Sequence, residues 1–414
     1  MKAARRWVFA AAAAGLLLRL AFGLLYWTAQ PLTHDEREYL ALARSLVRGD
    51  GLRYPSDEPL PGTGQLVGRA PGYPAFLALL DVRSPVDAVP ARVKIAQAIL
   101  GACGILFLAG IARRAAGPRA AIAAAAIAAA YPPLVWIPSY ALSETLYCTL
   151  ALAAAWMLTG TRLSACAIAA LLTAAAILVR PAMLCFIPFA AVWLALRRNS
   201  RSAVVFVAVV VCCVLPWTIR NHRTYGRWVL IASEGGVTFW TGNHPLSVGE
   251  GDLAANPRLK EAEIAFRTAH APARPEDLEP LYYRAAFAWI RANPGAWLTL
   301  EGRKLFFTLV PIGPSYAVHS ARYRIASAGS YVLLLPFAVA GIWRLRGRST
   351  AAAPLWLMAA ATVASGLVFF PQERFRIPVI DPALIVSAAA LASRGPGQSP
   401  ALDTDERISR RPYV

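Results

Sequence analysis

Long apolar runs, separated by short basic turns, make up most of the chain. A helix that crosses a hydrocarbon layer of ~30 Å needs roughly 20 residues at ~1.5 Å per residue. Ten runs approach or exceed that length. They lie at 7–27, 93–112, 119–137, 141–160, 163–179, 182–196, 203–219, 326–343, 351–370 and 375–392. This pattern predicts an all-α polytopic membrane protein, in agreement with a composition of 57% hydrophobic and only 16% charged residues.

Three apolar pieces need separate interpretation. The first run follows Lys2, Arg5 and Arg6, as a signal peptide would, but it is too long for one and has aromatic residues at both ends. We expect it to be an uncleaved first span. The segment 72–80 is short and is expected to be re-entrant or interfacial, and 297–312 is ambiguous. The prediction is therefore a bundle of about 10–12 transmembrane helices.

Basic residues are concentrated in the turns that alternating spans place on one side of the membrane. Cytoplasmic loops typically carry an excess of Lys and Arg. The basic clusters are Lys2/Arg5/Arg6, Arg113/Arg114/Arg119, Arg162, Arg197/Arg198/Arg201 and Arg344/Arg346/Arg348. They predict that both termini are cytoplasmic, with 393–414 as a disordered cytoplasmic tail. The net charge of +19 then reflects topology and anionic lipid, and no basic-aromatic motif points to nucleic acid.

Two long polar segments, 28–92 and 220–325, fall on the opposite, extracytoplasmic side. A channel or simple bundle does not need two such loops on one side, whereas an enzyme that works at the membrane surface does. In the first loop, THDE fits a capping box with Thr33 as the N-cap and Glu36 at the third helical position. We expect a short amphipathic helix in the interface there, and a second amphipathic stripe from 278 to 289.

Three carboxylates follow the first span: Asp35, Glu36 and Glu38. The helix cap explains Glu36, and exposure to solvent explains Glu38. Neither explanation covers Asp35, which lies just outside the bilayer between a span and the expected interfacial helix. Glu144 begins a span from the same side, and pairing with an arginine is its expected role.

Several arginines lie on the extracytoplasmic side, against the positive-inside tendency; they are Arg180, Arg220, Arg374 and Arg376. Each could extend to the lipid headgroups. An anionic partner such as a lipid phosphate or pyrophosphate explains their position better, because guanidinium forks match phosphate oxygens. Arg19 interrupts the first span, and snorkelling and a functional role are both open for it.

Seven motifs carry a resemblance to a known family. In order, they are THDEREYLALARSLVRGDGL, GRAPGYPAFLAL, ARVKIAQAILGA, YPPLVWIPSYALSETLY, ILVRPAML, PWTIRNHRTYGRWVLIASEGGVTFWTGNHP and RFRIPVIDP. Together they resemble the bacterial polyprenyl-phosphate-dependent glycosyltransferases of the GT-C class, which are related to the protein O-mannosyltransferases and the lipid A aminoarabinose transferases. The resemblance covers roughly residues 15–385 and implies one GT-C-like domain over 1–392. Family members often read RPPLYP where this chain has RAPGYP, and GNNP where it has GNHP.

The resemblance implies a reaction and a set of residues. A sugar would move from a polyprenyl phosphate to an envelope lipid, glycan or protein on the extracytoplasmic face of the bacterial inner membrane. Asp35, with Glu36 beside it, matches the family's catalytic acid and would accept the proton of an acceptor hydroxyl in an inverting displacement. The candidates for donor phosphate binding are Arg69, Arg180, Arg220, Arg374 and Arg376, and the supporting candidates are Glu144, Lys304, Asn243 and His244.

Two features of this mechanism stay open at the level of sequence. A helix N-terminus and nearby arginines lower the pKa of Asp35, whereas burial raises it. No cofactor is expected to be required. A divalent metal at Asp35 and Glu36 is an alternative to arginine, but it is not favoured because adjacent helical residues do not converge easily on one ion.

Three other functions compete with this one. A lipid or sugar transporter or flippase without transferase activity would need polar residues or broken helices at mid-membrane, whereas the polar residues here gather at one membrane face. A non-enzymatic membrane scaffold does not explain why the chain has Asp35 and arginines on the extracytoplasmic side. The third alternative is also an enzyme: a ligase that moves a whole glycan from a lipid pyrophosphate, or a transferase that uses a different leaving group. The sequence distinguishes these poorly from the favoured function.

Overall fold

The computed structural model describes residues 2–54, 68–82, 86–251, 253–271, 273, 275–315, 319–347 and 349–393. Within these ranges the chain forms helices and no strand. The predicted cytoplasmic tail lies outside the described residues, apart from its first residue, Ser393.

The helices follow one another along the chain. Their bounds are α1 Lys2–Ala21 (continued by a π-helical turn, Phe22–Tyr26), α2 His34–Arg48, α3 Gly72–Leu79, α4 Ala91–Ala116, α5 Pro118–Ala130, α6 Pro132–Trp136, α7 Glu144–Leu158, α8 Leu163–Val179, α9 Phe186–Arg197, α10 Ser200–Tyr225, α11 Gly235–Gly242, α12 Pro257–Ala269, α13 Pro275–Ala292, α14 Pro294–Leu309, α15 Ala321–Leu345, α16 Ala353–Val368, α17 Glu373–Arg376 and α18 Ile380–Ala389. Short 3-10 turns cover Ile137–Ser139, Pro181–Cys185 and Ala390–Ala392.

The chain is an integral membrane protein. Among the described residues, four helices are long and apolar enough to cross a membrane, and a fifth span is added if the pair Pro118–Ala130 and Pro132–Ser139, bent by 64°, counts as one. Five shorter apolar helices coincide with further predicted spans: Glu144–Leu158, Leu163–Val179, Pro181–Arg197, Ala353–Val368 and Ile380–Ala392. The predicted total of about 10–12 spans therefore stays a prediction.

The last predicted span, 375–392, begins later in the structure than the sequence suggests. The short helix α17 ends at Arg376, and the apolar helix starts again at Ile380. Pro378 lies between them and cannot donate a backbone hydrogen bond, so the helix does not continue through it. The break separates the two arginines of α17 from the apolar helix α18.

Small residues allow the helices to approach closely. Gly341 in α15 lies against α18 so tightly that an added Cβ would be 1.7 Å from the carbonyl oxygen of Ser387. Ala120 and Ala124 in α5 are fully buried. Close packing through small side chains is typical of helices in membranes. Large apolar side chains such as Leu17 and Leu333 are instead exposed on the outside of the bundle, as expected for contact with lipid.

Arg19 does not extend towards the membrane surface. It is buried, and its guanidinium donates to the carbonyl oxygens of Gly15 at 2.8 Å and Ala128 at 3.1 Å. The snorkelling alternative is therefore wrong for Arg19. Backbone carbonyls of α1 and α5 thus accept hydrogen bonds from the buried guanidinium, and these bonds hold the two helices together.

The predicted capping box at the start of α2 is confirmed. The Thr33 backbone N–H donates to Glu36 Oε2 at 2.8 Å, and the Glu36 backbone N–H donates to Thr33 Oγ1 at 3.4 Å. The helix differs from the prediction in its surroundings, because residues 40–43 are fully buried. It is packed into the protein on most sides and does not lie on an interface with one face in lipid. On the polar side of the helix, Glu38, Arg44 and Ser45 are buried as well, and Arg69 neutralises Glu38. The ends of that side remain exposed at Arg37 and Arg48.

Candidate active site

Asp35 binds two arginines from distant parts of the chain. It lies in the first turn of α2, where its Oδ1 accepts a hydrogen bond from Arg69 Nη2 at 2.8 Å. Its Oδ2 accepts one from Arg374 Nη2 at 2.5 Å, although the two residues are 339 positions apart. The Asp35 side chain remains 21% exposed. Folding thus brings the candidate acid and two of the candidate phosphate-binding arginines to one place, where their side chains are partly exposed.

Glu144 connects this pair to a third arginine. Its Oε1 lies 2.7 Å from Arg180 Nη1 and 3.7 Å from Arg374 Nε. The expected pairing of Glu144 with an arginine is therefore found. The Arg180 guanidinium also lies over the ring of Phe375, 4.6 Å from its centroid. A cation held between a carboxylate and an aromatic face has a fixed position, which favours the binding of a phosphate in one orientation.

Arg69 is the centre of the other half of the site. Besides Asp35, it donates from Nε to Glu38 at 2.8 Å and lies 3.1 Å from Glu234 Oε1. His34 Nε2 lies 3.4 Å from the second oxygen of Glu38. The expectation that Glu38 is merely solvated is wrong, because its side chain is only 9% exposed and pairs with Arg69.

Glu234 and Glu38 are functional candidates that the sequence analysis missed. Glu234 stands in the quoted SEGGV stretch immediately before α11, where no pattern distinguishes it from a loop acid. Glu38 lies in the acid-rich start of α2, where exposure to solvent is a sufficient explanation for an acid at the level of sequence. Only the fold shows that both carboxylates converge on Arg69.

The arginines control the ionisation of Asp35. Burial favours the neutral acid, but the charges and hydrogen bonds of Arg69 and Arg374 outweigh it and hold the pKa of Asp35 below its ordinary value. The sequence left open whether burial or the arginines dominate the pKa of Asp35. In the structure the arginines dominate, and the ionised carboxylate is favoured. Glu234 shows the opposite result: burial raises its pKa to about 7, with Glu38 and Asp35 acting in the same direction against Arg69.

Glu36 faces away from the arginines. Its Oε2 accepts hydrogen bonds from Thr33 Oγ1 and the Thr33 N–H, both at 2.8 Å, and its Oε1 accepts one from the Ala141 N–H at 2.9 Å. These contacts cap α2 and tie it to the segment before α7. The catalytic role predicted for Glu36 stays a prediction, but both its oxygens are engaged as a support for the position of Asp35.

Arg220 and Arg376 lie in other surroundings. The Arg220 guanidinium packs 4.8 Å from the centroid of the Trp217 ring and donates to Asn221 Oδ1 at 3.2 Å. Arg376 Nε lies 3.4 Å from Asp381 Oδ1, in a buried pair. None of these contacts involves Asp35.

Lys304, Asn243 and His244 belong to the second polar segment and its attachment to the bundle. Lys304 Nζ donates to Asn243 Oδ1 at 3.0 Å, to Glu301 Oε1 at 2.7 Å and to the Leu367 carbonyl at 2.7 Å. Its three donors are thus all used within the protein. His244 Nδ1 accepts the Leu246 N–H at 3.1 Å, and burial lowers the pKa of His244 to about 4. These contacts join the end of α11 to α14 and α16, and none of them involves Asp35.

The described residues contain no group of three or more His, Cys, Asp or Glu side chains that could hold a metal ion. The acids of the site are instead engaged by guanidinium groups. Four carboxylates and three arginines form one connected cluster; its members are Asp35, Glu38, Glu144, Glu234, Arg69, Arg180 and Arg374.

Comparison with solved structures identifies the fold. The archaeal oligosaccharyltransferase AglB from Archaeoglobus fulgidus, in complex with an inhibitory peptide and a dolichol-phosphate, matches with a TM-score of 0.54 and 16% identity, covering 94% of this chain and 50% of that one. The same oligosaccharyltransferase tethered with an acceptor peptide matches with a TM-score of 0.54 and 16% identity, covering 93% and 49%. This chain has the GT-C membrane fold.

The likeness has a limited extent. The chain spans about half of the length of the archaeal oligosaccharyltransferase. ArnT from Cupriavidus metallidurans in the apo state has a TM-score of 0.42 and 15% identity over 91% of this chain and 78% of that one, which does not establish a shared fold. No protein-family model matches the sequence, and no curated protein matches it. The likeness at 16% identity confirms the predicted fold and leaves the reaction to the chemistry of the site.

Proposed function

We propose that this protein is a membrane glycosyltransferase that moves a sugar from a polyprenyl-phosphate donor to an envelope lipid, glycan or protein. The observation that carries the proposal is the partly exposed carboxylate of Asp35, held between Arg69 and Arg374 and joined through Glu144 to Arg180. This arrangement supplies a base and a set of cations for a leaving phosphate in one cluster. The archaeal oligosaccharyltransferase of the same fold is known in complex with a dolichol-phosphate, which supports a donor of this class.

The arginines bind the donor phosphate in this proposal. The planar guanidinium fork matches two oxygens of a phosphate as it matches the two oxygens of a carboxylate, and both anions accept charge-assisted hydrogen bonds from it. An incoming phosphate therefore competes with Asp35 for Arg374 and Arg69. As these hydrogen bonds move to the phosphate, the pKa of Asp35 rises from its lowered value and the carboxylate becomes a better proton acceptor.

Transfer then proceeds as one displacement. The acceptor hydroxyl gives its proton to Asp35 while its oxygen forms a bond to the anomeric carbon of the sugar. The bond between that carbon and the phosphate oxygen breaks on the opposite face, and its electron pair leaves with the polyprenyl phosphate. Arg180 and Arg374 neutralise the negative charge that develops there. The configuration at the anomeric carbon is inverted, and Asp35 later releases the proton to water.

Charge neutralisation by arginine makes a divalent metal unnecessary in this proposal. Both oxygens of Asp35 accept hydrogen bonds from guanidinium groups, and both oxygens of Glu36 are engaged by Thr33 and Ala141. A metal at these two acids would have to displace those donors. We place the reaction on the extracytoplasmic face of the bacterial inner membrane, since the basic clusters assign the opposite face to the cytoplasm.

The replacement Asp35→Asn tests the proposed function. It removes the proton acceptor and keeps the shape of the side chain, so transfer should fall by roughly 10²–10⁴-fold. The readout is mass spectrometry of envelope glycolipids, glycans and proteins from cells that express either the wild type or the variant in place of the native gene. Asp277→Asn is a matched control, because Asp277 accepts a hydrogen bond from Arg227 at 2.8 Å in the second polar segment. Near-normal transfer in Asp35→Asn cells would remove Asp35 from the catalytic role.

A further inference from the structure

Glu373 is a buried acid without a hydrogen bond. It begins α17, immediately before Arg374, and its side chain is only 6% exposed. Neither Oε1 nor Oε2 has a hydrogen-bond partner among the described residues. His319 Nε2 lies 3.3 Å from Oε1, but it makes no hydrogen bond with the acid. Buried polar groups are normally hydrogen-bonded, and an unsatisfied carboxylate is strongly unfavourable. Donors from outside the chain are therefore expected at Glu373.

A ladder of aromatic rings starts at the same point. The His319 ring lies 4.3 Å from that of Tyr323, tilted by 32°, and Tyr323 lies 4.7 Å from Trp136, tilted by 36°. The Trp136 end is buried, whereas the His319 side chain is 37% exposed. The ladder thus leads from the surface into the protein and brings its exposed ring to the carboxylate of Glu373.

These groups match one class of ligand. A carboxylate can only accept hydrogen bonds, so it selects a ligand rich in donors such as hydroxyl groups. Aromatic faces select a flat apolar surface, which a pyranose ring presents through its C–H groups. A phosphate does not fit this place because Glu373 would repel it. A sugar provides both the hydroxyl donors and the apolar face.

We propose that Glu373 and the ladder of His319, Tyr323 and Trp136 form a carbohydrate subsite. It adjoins the Asp35 cluster, since Arg374 follows Glu373 directly and donates to Asp35 at 2.5 Å. Both carboxylate oxygens are closed to solvent in this structure, so the partly exposed His319 side chain has to move aside before a sugar hydroxyl donates to Glu373 and the sugar ring packs on the His319 ring. Whether this sugar belongs to the donor or to the acceptor rests on the proposed function, whereas the subsite itself does not.

Direct binding of simple sugars tests the subsite without any transfer reaction. The probes are methyl glycosides of a hexose, a pentose and an amino sugar, measured by saturation-transfer NMR on the full chain in lipid nanodiscs. Glu373→Gln should weaken binding by about tenfold or more, because it removes a charged acceptor. His319→Ala should weaken it as well by removing the exposed ring. The matched controls are Glu263→Gln, a buried glutamate that accepts the Tyr282 hydroxyl at 2.9 Å, and His270→Ala, whose ring packs on Phe266.

Thermal unfolding separates a binding role from a structural one. If Glu373 is kept for a ligand, Glu373→Gln removes an unsatisfied charge, and the unfolding temperature should stay equal or rise. Two results would overturn the subsite: no glycoside binds the wild type up to about 50 mM, well above the millimolar affinities of weak sites, or Glu373→Gln lowers the unfolding temperature and leaves binding unchanged.

Kinetics assigns the bound sugar once donor and acceptor are known. A higher KM for the donor in Glu373→Gln assigns the subsite to the donor sugar, and a higher KM for the acceptor assigns it to the acceptor. Failure of the proposed function would appear differently. In that case Asp35→Asn leaves envelope glycosylation intact, while the wild type still binds methyl glycosides and Glu373→Gln does not.

Discussion

The short helix α17 contributes arginines to two very different ion pairs. Arg374 reaches Asp35 at 2.5 Å, where the side chains are 28% and 21% exposed. Arg376 lies 3.4 Å from Asp381, where the side chains are 3% and 0% exposed. Residues two positions apart on a helix point to nearly opposite sides, since each residue turns by about 100°. An arginine–aspartate pair thus lies on each side of α17. We call the partly exposed pair of Arg374 and Asp35 the open pair, and the buried pair of Arg376 and Asp381 the sealed pair.

The difference between the pairs lies in what can replace a partner. In the proposed reaction a ligand phosphate takes the place of Asp35 at Arg374, so that the partly exposed pair exchanges its contacts. Arg376 is closed off between Asp381 and the ring of Tyr331, whose centroid is 4.1 Å away. Removing Asp381 from this buried pair takes away the carboxylate that faces the Arg376 charge, which is unfavourable in the protein interior. The open pair is therefore suited to chemistry and the sealed pair to holding α15 and α18 together.

Asp381→Asn should have the largest effect on stability. The variant leaves Arg376 buried without its acidic partner, which destabilises proteins by about 3–5 kcal/mol. The measurement is thermal or denaturant unfolding in lipid nanodiscs, with transfer normalised to the amount of folded protein. Asp35→Asn is the counterpart: transfer is lost, and the loss of stability should be smaller, because Arg69 keeps Glu38 and Glu234 as partners and Arg374 keeps Glu144. If Asp381→Asn unfolds like the wild type, the two pairs do not differ in the way described.

Arg374→Lys should have an intermediate effect. Lysine keeps the positive charge, but one ammonium group cannot replace a fork that reaches Asp35 and lies 3.7 Å from Glu144. We expect kcat/KM for the donor to fall by roughly 10–100-fold, the value of one or two charge-assisted hydrogen bonds. Arg227→Lys, in the exposed pair with Asp277, is the control and should leave kcat/KM unchanged. If kcat/KM for the donor is equal in the two variants, Arg374 does not bind the donor phosphate.

Glu234→Gln should have the smallest effect, and it should depend on pH. The pKa of Glu234 is raised to about 7 in the folded protein, so the folded state holds a proton that the unfolded state releases above an ordinary pKa of about 4.3. Stability from this group is present at low pH and is lost as the pH rises towards 7. The unfolding temperature of Glu234→Gln, relative to the wild type, should therefore increase from pH 5 to pH 7 and then level off.

The control for that experiment is Glu261→Gln, because Glu261 is exposed on α12. Its difference from the wild type should not vary over the same range of pH. A flat difference for Glu234→Gln as well would mean that Glu234 is already ionised beside Arg69 below pH 5.

Local features of this protein were predictable from the sequence. The apolar runs predicted the helices because the bilayer demands long apolar segments, and THDE predicted the start of α2 because a cap uses groups only three residues apart. The paired role of Glu144 followed from placing an acid at a membrane edge rich in arginine. Asp35 was separable from Glu36 for the same local reason, since the cap needs only one of them.

Contacts between distant residues were decided by the tertiary structure. The sequence offered five arginines for the phosphate, and only the fold brought Arg69, Arg180 and Arg374 together while it assigned Arg376 to Asp381. Helix breaks at Pro378 and the burial of α2 changed the surroundings of residues whose local pattern was correct. The physical reason is that periodicity and caps act over a few residues, whereas an ion pair between positions 35 and 374 depends on the packing of every helix between them.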